Sequence, residues 1–146
     1  MNYHEKLKEF SLYSLERRRE RYLIIYTWRM IEEQVPNIGI GTQLSDRRGR
    51  LCVIPAVHHS VANWVKRLRE NSFLIRGPRL FNCIPACLRD ISRCHVDRFK
   101  SALDSWLSGI PDEPHVPGYT AMRRATTNSI LDMWRFRAAN HGHLGC

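Results

Sequence analysis

The chain has 146 residues, 43% of them hydrophobic and 25% charged, with 23 Lys and Arg against 14 Asp and Glu for a formal charge of +9. That length suits one domain able to bury roughly 68–70% of its unfolded surface, and the composition excludes a disordered or fibrous chain. The longest apolar run, Tyr22 to Trp28, is far short of the ~20 residues that cross a bilayer, which excludes a membrane span.

Residues 3–11 predict a short helix with Leu7, Phe10 and Tyr3 to one side. Ser14 is a fitting N-cap for a long second helix to about Val35, stopped by Pro36. Its second half is apolar on nearly every side, with Ile24, Trp28 and Ile31 on one face and Leu23 and Met30 on another, as in a buried central helix. The first half, carrying Arg17, Arg18, Arg19 and Arg21, is expected to project from the core into water. Cations in a first turn oppose the helix dipole at a cost of about a few tenths of a kcal/mol each. Glu16 and Glu20 offset part of this by pairing with neighbours.

"NIGIGTQLSDRRGR" reads as a loop with a turn at "SDRRG", leading into "LCVIPAV", a short strand ended by Pro55. In "HSVANWVKRLREN", Ser60 can cap a helix whose apolar positions are Val61, Trp64, Val65 and Leu68. Within "NSFLIRGPRLFNCIP", "SFLI" suits a strand, Gly77-Pro78 a turn and "RLFNCI" a helical turn ended by Pro85. "HVDRFKSALDSWLSG" is an amphipathic helix with Val96, Phe99, Leu103, Trp106 and Leu107 on one face, stopped by Gly109 and Pro111. "IPDEPHVPG" reads as a linker or extended arm, "TNSILDMWRFR" as a last short helix and "AANHGHLGC" as a frayed tail. The fold class is therefore mainly α with a small β element, divided into helices over 1–35, a basic loop and mixed helix/strand module over 36–110, and a Pro-rich linker, short helix and tail over 111–146.

Residues 36–80 carry eight bases against two acids, the electrostatic footprint of a nucleic-acid partner. The candidate backbone-contacting side chains are Arg17, Arg18, Arg19 and Arg21 on the second helix, Arg47, Arg48 and Arg50 at the turn, Lys66, Arg67 and Arg69 on the next helix, and Arg76 and Arg79 beside Gly77-Pro78. The arginine run admits two readings, a phosphate-facing ridge or a solvated, salt-bridged helix end. Cys83, Cys87 and Cys94 are weak zinc candidates: the first two have knuckle spacing, but Cys94 and His95 are adjacent and poorly placed to share one ion, so core packing is the default. Cys146, His141 and His143 in the tail are weaker still. Five cysteines with no export signal are expected as reduced thiols, and the charged start "MNYHEKLKEF" predicts an intracellular protein of nucleus or cytoplasm. His58-His59 lacks a nucleophile motif, "GIG" lacks the lysine and helix of a phosphate loop, and the aspartates fall singly along the chain. No catalytic residue and no cofactor is expected.

Four blocks in order carry a resemblance. Ser14 to Ile31 fits a basic "SLxxRRxRxxxIxxxK/WxI" helix, and Asn71 to Pro85 fits "NSFxxRxPxLFNxLP" with Ile84 for leucine. His95 to Leu107 fits "SxDxFKxxLDxxL" with His95 in place of serine, and Asn128 to Asp132 reads "NSILD". Together they resemble the extreme C-terminal region of the endonuclease–reverse transcriptase of non-LTR (LINE-type) retrotransposons, nearest the jockey and chicken-repeat kind, over about Leu12 to Asp132. The resemblance implies a helical, thumb-like bundle followed by a short helix/strand C-terminal module. It implies a grip on RNA, DNA or an RNA–DNA hybrid through the backbone, without sequence reading. The parent family is an RNA-directed DNA polymerase, but its palm aspartate pair and endonuclease residues are absent from this sequence. The implied function is that of a non-catalytic fragment of a transposable element, with the missing palm as a further partner. The alternative is an inert remnant or a helical protein–protein module.

Overall fold

The computed structural model describes residues 2–56, 60–113 and 128–131. Among them are six helices and one two-stranded antiparallel sheet, a mainly α fold with a small β element. No described helix is long and apolar enough to cross a membrane.

Helix α1 (Tyr3–Glu9) starts at Asn2, whose side chain accepts from Glu5 N while Glu5 reaches back to the Asn2 amide, a reciprocal cap. None of its residues is buried. Helix α2 (Leu15–Ile31) is capped by Ser14 Oγ, which accepts from Arg17 N. It ends earlier than expected, because Glu33 turns into the left-handed region at φ 57° before Pro36 is reached. Its apolar half is the centre of the molecule: Ile24, Trp28 and Met30 have no exposed surface, while Leu23 and Ile31 are half-buried. Trp28 stacks on Phe99 at 4.7 Å and donates its indole N–H to Ile91 O at 2.8 Å, so the one polar atom of a large buried ring is satisfied.

The segment expected as a loop forms a hairpin instead. Strands β1 (Thr42–Ser45) and β2 (Gly49–Cys52) pair with Thr42 opposite Cys52 and Ser45 opposite Gly49. Asn82 extends this ladder by accepting from Cys52 N at 2.8 Å and donating to Cys52 O at 3.0 Å. Helix α3 (Asn63–Glu70) begins at Ala62, which offers no side-chain cap, so Ser60 is not the N-cap.

The strand and turn expected over 72–78 are overturned, whereas the helical turn expected at Arg79 belongs to a longer element: Phe73–Cys83 is one continuous helix, α4, with Pro78 inside it. An interior proline disfavours this by crowding the carbonyl four residues back, by lacking an N–H and by crowding the Cβ of the preceding residue, and only the last of these is relieved here. Gly77 has no Cβ, and the same absence brings α4 close to α2, since a Cβ there would lie 2.7 Å from Thr27 Oγ1. The glycine–proline pair is thus a helix-packing device.

Helix α5 (Ala86–Arg89) leads to α6 (Val96–Ser108), which His95 caps by accepting from Asp97 N. Of the expected face, Phe99, Leu103 and Leu107 are buried, and Val96 and Trp106 pack half-buried at its edge. Ile130 is buried in the same core cluster. The rest of the expected last helix, the tail, His58-His59 and most of the proline-rich arm lie outside the described residues.

Candidate nucleic-acid interface

The arginine run at the start of α2 splits between two environments. Helical rotation turns Arg17 inward, and its side chain has no exposed surface. Nη1 donates to Ile110 O at 3.3 Å and Nη2 to Pro111 O at 3.1 Å, with Asp112 Oδ1 3.9 Å from Nε. Asp112 also accepts from Ser14 N at 2.5 Å and Ser14 Oγ at 2.7 Å, placing a carboxylate at the positive end of α2. Arg17 therefore ties the segment that follows α6 to the start of α2, and the expectation that it projects into water is corrected. Glu20 is equally hidden, accepting from Ser129 Oγ (at Oε1) and from Ile130 N at 2.8 Å (at Oε2). Burial pushes its carboxyl above the ordinary range, against the opposing pull of those hydrogen bonds and of Arg76.

Arg21 is half-buried and grips Asp104 with two bonds, 2.6 and 2.9 Å, a bidentate pair that raises its affinity for its proton. Arg50 clamps the hairpin to the body, donating to Glu32 Oε1 at 2.5 Å, Arg89 O at 2.8 Å and Ile91 O at 2.8 Å. Arg76 leans on Glu20 at 3.4 Å. Arg17, Arg21 and Arg50 are thus engaged in holding the fold together, Arg21 as a salt-bridged helix end and Arg17 by burial. Arg89 belongs with them: it is buried and donates to Asn82 O, Ile84 O and Arg48 O. Its role had no signal in the sequence, because nothing local marks a cation whose acceptors are backbone carbonyls.

The remaining cations face water. Arg18 and Arg19 on α2, Arg47 and Arg48 at the hairpin turn, and Lys66, Arg67 and Arg69 on α3 are exposed, and none forms an ion pair among the described residues. Arg18 Nε donates to Tyr13 O at 2.9 Å, which steadies the stem without neutralising the charge. Arg79 is half-buried on α4.

Arg18, Arg19 and Arg76 come together along a groove of roughly 870 Å³, lined also by Tyr3, Tyr22 and Asn71. Asn71 caps the C-terminus of α3, so the cationic turn of Arg67 and Arg69 ends at the groove's rim. The single acid on the described wall, Glu16, accepts from Asn128 N at 3.1 Å. Among the lining residues, Tyr22 and Asn71 are not marked by charge or by a site motif in the sequence, so only the fold brings them beside Arg18, Arg19 and Arg76.

The cysteines do not assemble a metal site: among the described residues, no three His, Cys, Asp or Glu side chains stand together so as to hold an ion. Cys52 and Cys94 are free thiols, whereas Cys87 is disulfide-bonded, which corrects the all-thiol expectation. Burial pushes the Cys52 thiol up to about 12. No protein-family model matches the chain, and no curated protein or solved structure does so either.

Proposed function

We propose that the protein binds the sugar–phosphate backbone of nucleic acid through the outward-facing cations of α2 and α3, without reading sequence. The observation that carries this reading is the division of labour among the basic residues. Arg17, Arg21, Arg50 and Arg89 are consumed by internal acceptors, yet Arg18, Arg19, Lys66, Arg67 and Arg69 remain exposed without a described ion pair. Such a surplus attracts a polyanion and releases its counterions. In line with the four-block resemblance, we read the chain as a non-catalytic thumb and post-thumb region of a non-LTR reverse transcriptase, acting beside a polymerase palm.

Five phosphate contacts on a single strand predict that affinity falls roughly a hundredfold between about 50 and 200 mM salt. Fluorescence anisotropy of a labelled oligonucleotide measures this directly, and an affinity that stays flat across that range overturns the reading. A second reading, a protein–protein module, is favoured by one observation: Trp64 and Leu68 on α3 are 66% and 63% exposed where a packed helix would bury them. That interface would be insensitive to salt.

A further inference from the structure

The groove beside α2 has the parts of a site for an unpaired nucleotide. Tyr22 is 63% exposed and lines it. The ring is not a loose surface aromatic. It stacks on Tyr26 at 5.9 Å with an interplanar angle of 19°, and Tyr26 in turn meets the edge of Phe73 at 5.5 Å. This ladder of three rings, joining α2 to α4, holds Tyr22 as a platform whose outer surface is open.

Arg18 and Arg19 precede Tyr22 by four and three residues, so helical geometry sets both on its face at about 5–6 Å between Cβ atoms. That spacing matches a nucleotide, whose base and phosphate are separated by one sugar. The Asn71 carboxamide is exposed on the rim and has no partner among the described residues, which leaves a donor and an acceptor for a base edge. Glu16 has its carboxylate held by the Asn128 amide.

We propose that this groove seats one or two unpaired nucleotides of a single strand, with a base stacked on Tyr22 and its phosphate between Arg18 and Arg19. The inference rests on the nucleic-acid reading above and narrows it from backbone in general to single-stranded segments. A duplex hides the faces of its bases within its own stack, so it gains the cations but not the platform.

The test is anisotropy of the full chain with a fluorescein-labelled single strand and with a blunt duplex of the same sequence. Tyr22→Ala is expected to weaken single-strand binding about tenfold and to leave duplex binding within about twofold, as loss of one stacked base implies. Tyr22→Leu, which keeps Tyr26 covered, is expected to show the same loss, and Tyr22→Phe to retain wild-type affinity. If both non-aromatic variants bind the single strand like wild type, or lose strand and duplex alike, the nucleotide site is overturned while backbone binding stands. If the wild-type chain retains neither oligonucleotide, both proposals fall.

Discussion

Arg17 and Arg19 are two positions apart in one arginine run, and the structure predicts opposite consequences for removing them. Arg17→Ala deletes a fully buried guanidinium that donates to Ile110 O and Pro111 O and lies 3.9 Å from Asp112. The loss leaves two carbonyls short of a donor and removes a cation beside a carboxylate that is itself 80% buried, its side chain being 20% exposed. Breaking such a buried arrangement by deleting one partner costs about 3–5 kcal/mol. At roughly 2–4 °C per kcal/mol for a chain of this size, Tm should drop by roughly 10 °C. Arg19→Ala removes an exposed side chain with no ion pair among the described residues, so stability should change by less than about 0.5 kcal/mol. Its nucleic-acid affinity should fall instead. Thermal and urea unfolding followed by circular dichroism, run beside the anisotropy titration, separates the two effects. An Arg17→Ala protein as stable as wild type would refute the claim that this arginine ties the segment following α6 to α2.

Two further predictions concern buried contacts on the same helix. Because burial raises the folded-state pKa of Glu20 above its unfolded value, the native chain holds the proton more tightly than the unfolded one. Stability contributed by this group is then present at acid pH and lost as pH climbs from the ordinary carboxylate value through the raised one. Wild type should accordingly lose stability relative to Glu20→Gln as pH rises above the ordinary carboxylate value, read as the difference in urea midpoints; a difference that grows in the other direction would contradict it. Gly77→Ala places a methyl group 2.7 Å from Thr27 Oγ1, an overpacking worth about 1–3 kcal/mol of destabilisation. Trimming the opposing residue with Thr27→Ala in the same chain should recover part of that loss, and strict additivity of the two changes would show that the helices do not meet there.

Local patterns in the chain were enough to specify the parts whose physics is local. Ser14 capping α2, the apolar second half around Ile24 and Trp28, and the period of Phe99, Leu103 and Leu107 on α6 all follow from capping chemistry and helical spacing, which operate within a few residues. Tertiary contact decided the rest. A Gly-Pro pair signals a turn, but against the Thr27 surface of α2 the missing Cβ makes it the point where two helices approach. Four arginines within five positions look equivalent in a string; tertiary contacts separate Arg17 on the Ile110 and Pro111 carbonyls, and Arg21 on Asp104, from Arg18 and Arg19 in water. The hairpin, too, is held by Asn82, Arg89 and Asp90, which lie some 30 to 40 residues further along. A cation's role depends on which acceptors the folded chain brings to it, and those acceptors here come from far away in sequence.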